Sequence, residues 1–236
     1  MRNTTAIAIK EFKSYLASPM AYVVTGIFLV LTGVFFSISP ATYRETSING
    51  FLEPGNILLL LLAAVLTMRL LAEEKKMGTL ELLLTAPVRD REVILGKFLG
   101  SLGILTVMLA LTFYYPILLI SFGDPDMGPI ATGYLGLFLL GSVSLAVGLF
   151  ASSLSSNQIV AAVVAGGILF ALWFVGLAAT FLPEALAEII GFLSLSRYFP
   201  DFMMGIIDTR GMIYYLSITA LFLFLAIRSL ENSRWS

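Results

Sequence analysis

The sequence predicts an all-α membrane protein with six transmembrane helices, an N-terminal interfacial helix, a short cytoplasmic helix after span two and short outer helices between spans five and six. Three observations predict it. Of 236 residues, 58% are hydrophobic and 12% charged, where a soluble domain carries roughly 25% charge. The mean hydropathy of +0.96 exceeds what a soluble core of this size hides. The few charges divide the chain into uncharged stretches of span length, and the basic ones gather on one side.

Residues 4–16 set Ile7, Ile9, Phe12 and Leu16 among Lys10, Glu11 and Lys13, the pattern of an interfacial helix. The apolar run 22–38 is too long for the core of a cleaved leader and reads as a retained first span over 21–38, opened by Ser18-Pro19. The second span covers 56–72, with Arg69 near one end, able to snorkel and one turn from Glu73. The third covers 98–122 and is closed by Asp124-Pro125-Asp126. Residues 127–183 carry no charge. As one helix they would extend ~85 Å, so they must fold back. The polar window 152–158 is the break, giving spans at 130–151 and 158–182, and 211–228 is the sixth. The whole of 1–236 is one transmembrane domain.

Residues 183–210 have too many charges for a span and too many apolar side chains for a free loop. Leu186, Ile189, Ile190 and Leu193 recur at helical spacing, and Pro183, Gly191, Pro200 and Gly205 divide the segment. Two short helices dipping into the outer surface, forming an outer lid, satisfy this pattern. Its candidate residues are Leu186, Ile190, Arg197, Asp201 and Met203, with Arg197 and Asp201 a candidate ion pair.

Basic residues set orientation. Eleven of the fourteen (Arg2, Lys10, Lys13, Arg69, Lys75, Lys76, Arg89, Arg91, Lys97, Arg228 and Arg234) fall on the side of the termini, and three (Arg44, Arg197 and Arg210) on the other. Both termini and the loop 73–97 are therefore expected in the cytoplasm, with the chain in the cell (inner) membrane.

Composition excludes several functions. Cysteine and histidine are absent, which removes disulfides, Ser-His-Asp and Cys-His catalysis and His-based metal sites. The net charge of −1 offers no basic field for nucleic acid. Residues 91–98 carry the Gly-Lys of a phosphate loop but have Arg91 for its first glycine and Phe98 for its Ser or Thr. No cofactor is expected. The spans place no ionisable residue near the midplane, unlike proton relays and ion pumps. They carry glycines instead, which suit close helix packing or a dimer seam.

The loop 73–97 is the longest cytoplasmic segment. Glu73 and Glu74 open it, Gly78 punctuates it, and Thr79 can cap a short helix. Leu80, Leu83 and Leu84 then form an apolar stripe beside Glu81; Pro87 stops that helix, and Asp90 can cap the next. The stripe suits burial in headgroups or docking in a groove of a cytoplasmic partner. The serine turn, with Ser153, Ser155, Ser156 and Asn157, is a second candidate cytoplasmic contact.

The run Glu73-Glu74-Lys75-Lys76-Met77-Gly78-Thr79-Leu80-Glu81-Leu82-Leu83-Leu84-Thr85-Ala86-Pro87-Val88, followed by Gly96-Lys97, resembles the signature of ABC-2-type transporter permeases, with Ala86 an insertion before Pro87. Lys10-Glu11-Phe12, Ser18-Pro19-Met20-Ala21-Tyr22 and 205–210 are similar to the gliding-motility branch of that family. The resemblance implies a permease subunit of an ATP-driven exporter, not itself an enzyme. It makes the helix in 73–97 a coupling helix, with Glu73, Glu74, Gly78, Thr79, Leu80, Glu81, Leu83, Leu84 and Pro87 as its contact to separate cytoplasmic ATP-binding subunits. A second permease subunit (the same or a related chain) and an outer-side auxiliary protein are the other implied partners, besides the lipid bilayer. The alternative is a secondary transporter or channel subunit without ATP coupling, which the uncharged midplane disfavours. An intramembrane protease lacks its histidine or its paired aspartates.

Overall fold

The computed structural model describes residues 2–43, 47–79, 88–179 and 183–232, and its regular structure there is helical. Eleven helices follow in order among the described residues: α1 (Arg2–Ala17), α2 (Pro19–Tyr43), α3 (Asn49–Thr67), α4 (Ala72–Lys76), α5 (Asp90–Leu111), α6 (Tyr114–Phe122), α7 (Met127–Leu154), α8 (Gln158–Ala179), α9 (Glu184–Phe192), α10 (Phe199–Met203) and α11 (Thr209–Asn232). Six stretches are long and apolar enough to cross a membrane: Pro19–Ile38, Asn49–Lys76, Asp90–Ser121, Met127–Leu154, Gln158–Ala178 and Thr209–Asn232. The all-α, six-span fold read from the sequence is the fold observed.

Helix α7 is the hub. Its apolar window is 83% buried, against 22%, 17% and 28% for the first, fifth and sixth spans, which therefore form the periphery. It packs against α3, α5, α8, α10 and α11. Lipid gives apolar helices no hydrophobic reason to associate, so close contact must do it. Glycines supply that contact: Gly133 and Gly148 face Leu52 and Thr67 of α3, and a Cβ on Gly141 would lie 2.6 Å from Leu105 of α5. Gly26, Gly166 and Gly167 meet open space instead.

The third span is not one rod. Pro116 lacks an amide hydrogen, and its ring obstructs the carbonyl four residues earlier, that of Thr112. The helix stops at Leu111 and restarts at Tyr114. The Thr112 carbonyl accepts from the Tyr115 amide at 3.0 Å and from the Tyr134 hydroxyl of α7 at 2.8 Å. The Tyr115 amide and the Tyr134 hydroxyl together replace the donor that Pro116 lacks, so the freed carbonyl stays paired inside the apolar bundle.

Between α8 and α11 the chain dips back into the bundle. The Leu195 amide donates to the Leu172 carbonyl at 2.9 Å. The Ser194 and Ser196 hydroxyls donate to the Trp173 carbonyl, both at 3.1 Å. The Tyr215 hydroxyl donates to the Leu195 carbonyl at 2.8 Å. The prolines start helices here rather than break them: Pro183 precedes α9 and Pro200 stands in the first turn of α10. Gly191 lies inside α9 without interrupting it, whereas Gly205, at φ +86°, does turn the chain after α10.

Candidate functional site

The signature segment begins where the second span breaks. Helix α3 ends at Thr67, and α4 starts at Ala72. The Ser152 hydroxyl, at the end of α7, bridges the gap. It accepts from the Leu71 and Ala72 amides at 3.0 Å each and donates to the Met68 carbonyl at 3.0 Å. One buried hydroxyl thus satisfies backbone groups on both sides of the break, as buried polar groups require. The Lys75 ammonium donates to the Ser153 carbonyl, and the Ser229 hydroxyl of α11 reaches the same oxygen at 3.3 Å. Gly78, at φ +70°, ends α4 in the left-handed conformation that glycine adopts freely. The Thr79 hydroxyl donates back to the Glu74 carbonyl at 3.4 Å. Leu80, Glu81, Leu83, Leu84 and Pro87 lie outside the described residues.

The chain returns at Val88, which packs against the core. The capping role expected of Asp90 falls elsewhere: Asp90 is already the first residue of α5. The Glu92 carboxylate reaches back instead, accepting from the Arg89 amide at 3.1 Å and from the Asn3 side chain of α1 at 3.3 Å. One turn further on, Lys97 joins the two ends of the segment. Its ammonium lies 2.8 Å from Glu74 Oε1 and 3.4 Å from Glu11 Oε2, with only 3% of its side chain exposed. A buried ammonium persists only when paired in this way.

Helix α1 is bound to this junction along its length. A Cβ on Gly96 would lie 2.7 Å from Ile7, one on Gly100 2.7 Å from Glu11, and one on Gly103 2.8 Å from Phe12. Only a glycine stripe lets α1 lie this close to α5. At the end of α1 the buried Tyr15 hydroxyl donates to the Leu66 carbonyl at 2.8 Å, and burial pushes its pKa above the ordinary phenol range. Arg69 does not turn to Glu73. Its guanidinium lies 4.8 Å over the Tyr15 ring and donates to Ser18 Oγ at 2.7 Å.

The serine turn meets the same junction from below. Ser153 is fully buried and faces inward. The Ser155 hydroxyl accepts from the Asn157 amide at 3.0 Å, and Asn157 Oδ1 accepts from the Ile159 amide at 2.9 Å, which caps α8. Ser156 and Asn157 are exposed. At the other end of the bundle Leu186 and Ile190 stand on α9, and Asp201 and Met203 on α10. Arg197 and Asp201 form no ion pair. The turn that carries Arg197 folds back on α9, and the guanidinium sits 4.4 Å over the Phe192 ring.

Ser152, Glu11, the load on Lys97 and the stripe Gly96, Gly100 and Gly103 are absent from the sequence-based site. The stripe had a signal, glycine at i, i+4 and i+7 on one helix face. Ser152 and Glu11 had none, because their partners are remote in sequence.

Comparison with protein families places residues 5–232 in a match to the family described as ABC-2 family transporter protein. Comparison with curated proteins finds no match.

Proposed function

The chain belongs to the ABC-2 family of transporter proteins, and from that premise we propose that ATP-driven motion enters it through the segment 73–97. It is a multi-pass membrane permease subunit of an ABC transporter, and ATP hydrolysis belongs to a separate ATP-binding subunit. In our reading the direction is export. The termini, the segment 73–97 and the serine turn face the cytoplasm across the inner membrane. A second permease subunit, the same or a related chain, completes the pathway, and 183–210 forms an outer lid on which an auxiliary protein can act.

One observation carries the entry point. Lys97 ties the stem of the segment to α1 and to the third span at once, through Glu74 and Glu11 at 2.8 and 3.4 Å. A push on the segment therefore reaches the second span, the third span and α1 together. Glu73, Glu74, Gly78 and Thr79 shape the stem. Leu80, Leu83 and Leu84, beside Glu81 and before Pro87, supply the apolar stripe that a groove on the ATP-binding subunit would bury. Exposed Ser156 and Asn157, with Ser155, offer a second contact, and Ser153 supports it from inside.

The test is Leu83→Asp in the chain purified with its ATP-binding subunit. A carboxylate forced into the groove costs several kcal/mol. ATPase stimulation by the permease should collapse while membrane insertion stays normal. Full stimulation in the variant would refute the entry point.

A further inference from the structure

Hydroxyls on the spans turn back on their own helices. Thr67, Ser142, Ser144 and Thr219 each donate to the carbonyl four residues earlier, at 2.7 to 2.8 Å. That local bond is the ordinary one for a hydroxyl on a helix. Ser152 departs from it. Its side chain is fully buried and crosses to the second span, where it accepts two bonds and donates one, the whole capacity of a hydroxyl. The position it takes is one in the backbone ladder. In a continuous helix the Ala72 amide donates to the Met68 carbonyl. Here Ser152 Oγ stands between them, 3.0 Å from each. The Leu71 amide, whose helical acceptor would be the Thr67 carbonyl, goes to the same Oγ at 3.0 Å. The Thr67 carbonyl takes the Leu70 amide instead, at 3.1 Å. The Leu66 carbonyl, which Leu70 would otherwise serve, accepts from the Tyr15 hydroxyl of α1 at 2.8 Å. Two buried side chains from two other helices therefore hold the break open, and a side chain inserted in the ladder is a known cause of a kink.

A second arrangement satisfies the same groups. If Ser152 withdraws, the Leu70, Leu71 and Ala72 amides regain the Leu66, Thr67 and Met68 carbonyls. The Ser152 hydroxyl then turns back to the Gly148 carbonyl, four residues earlier, as the other hydroxyls do. The Leu66 carbonyl has a second lone pair for Tyr15. Neither arrangement orphans a buried polar group, which backbone inside an apolar bundle requires. They differ in the angle between α3 and α4. Two 3.0 Å links join Ala72 to Met68 with the hydroxyl in place, and one joins them without it. The pivot is fixed just before the break, because Gly148 lets α7 lie directly against Thr67. Withdrawal thus leaves α3 in place and draws the stem of 73–97 into line with it. The Lys75 ammonium, on the neighbouring Ser153 carbonyl, holds the stem to the same end of α7, which makes the bent arrangement the resting one.

We propose that Ser152 is a positioning residue of the transport cycle, inserted at rest to keep α4 bent from α3 and withdrawn when the ATP-binding subunit moves the segment 73–97, so that 49–76 becomes one helix. This rests on that segment being the entry point for ATP-driven motion. Lys97 carries the push to α1 and α5, and Ser152 sets whether the second span meets it as a bend or as a rod.

Spin labels on Ile57→Cys and Lys76→Cys, both exposed positions in a chain without cysteine, read the angle by double electron–electron resonance. A continuous helix puts these two Cα atoms about 28 Å apart. In the chain purified with its ATP-binding subunit, the nucleotide-free distribution should be that of the bend, and ATP trapping should move it to the continuous-helix distance. Ser152→Ala should cut the bent population about ten-fold without nucleotide, since two amides lose their acceptor only in the bend. Ser152→Thr keeps the hydroxyl and should restore the bend. If Ser152→Ala does not fold, Tyr15→Phe takes its place, with a shift in the same direction. A lowered unfolding temperature with unmoved distances would make Ser152 a structural clasp and overturn the proposal. So would an unaltered chain whose distances ATP trapping does not move while Leu83→Asp still abolishes ATPase stimulation, a result that leaves the entry point standing. Leu83→Asp should remove the ATP-linked shift and spare the shift caused by Ser152→Ala. An ATP-linked shift that survives Leu83→Asp counts against the entry point and for the hinge.

Discussion

An ammonium sealed from solvent and shared by two carboxylates is stable only as a set. Lys97 is such a group, at 2.8 Å from Glu74 and 3.4 Å from Glu11. Lys97→Met should destabilise the folded chain by about 3 kcal/mol, because it strands two carboxylates. Adding Glu74→Gln to it should cost less than the sum of the single changes, since the pair is then removed together. Thermal unfolding in detergent reads both, and strict additivity would show that Lys97 and Glu74 are not coupled. Part of this was legible in the sequence. Lys97 closes the recognised signature, and Gly78 marks a turn whose φ of +70° suits glycine. The joint itself was not, because residues 11, 74 and 97 meet only once three helices have packed. The same holds for Ser152, whose sequence neighbours suggested nothing beyond a polar turn.

The elements that lipid alone dictates were the ones the sequence showed clearly. A segment without charge that must satisfy its own backbone becomes a helix, and six such segments became six. Breaks within them were harder to see, because they depend on remote partners. The third span reads as one helix over 98–122 in the sequence, and it breaks ahead of Pro116, where the Tyr115 amide and the Tyr134 hydroxyl of α7 serve the freed Thr112 carbonyl at 3.0 and 2.8 Å. Helix α1 looked like a surface helix, and its inner face instead follows Gly96, Gly100 and Gly103 of α5. Gly100→Leu should push α1 off that stripe, since even a Cβ there would sit 3.1 Å from the Ala8 carbonyl. A single cysteine at Ala8 should then label faster than in the otherwise unchanged chain, while the second span stays inserted. An unchanged labelling rate would show that α1 does not depend on the stripe.

At the scale of the whole molecule, the buried hub α7 and the exposed first, fifth and sixth spans leave orientation and motion as the open physical questions. The chain has no cysteine, so single cysteines report cleanly. Ser194 and Ser153 are polar but buried, at 1% and 0% exposure, so they are poor reporters of side. Glu188 and Ser156 are exposed. With both termini inside, Glu188→Cys should react with an impermeant reagent in intact cells, and Ser156→Cys only after permeabilisation. The reverse pattern would invert the topology. Motion at the end of the bundle that carries 183–210 divides between two helices held differently. Helix α10 is fastened: Phe202 is fully buried against Gly136, and the Thr132 hydroxyl donates to the Phe202 carbonyl. Helix α9 rests on α8 and exposes Leu186, Ile189 and Phe192. An outer lid over the path must change its packing as ATP is bound and hydrolysed, and the loosely held helix is the one free to do so. A spin label at Ala187 on α9 should therefore report different environments in the ATP-trapped and nucleotide-free complexes, with a smaller change at Met203 on α10. Identical spectra in the two states at both positions would make 183–210 an anchor for the sixth span and end the lid proposal.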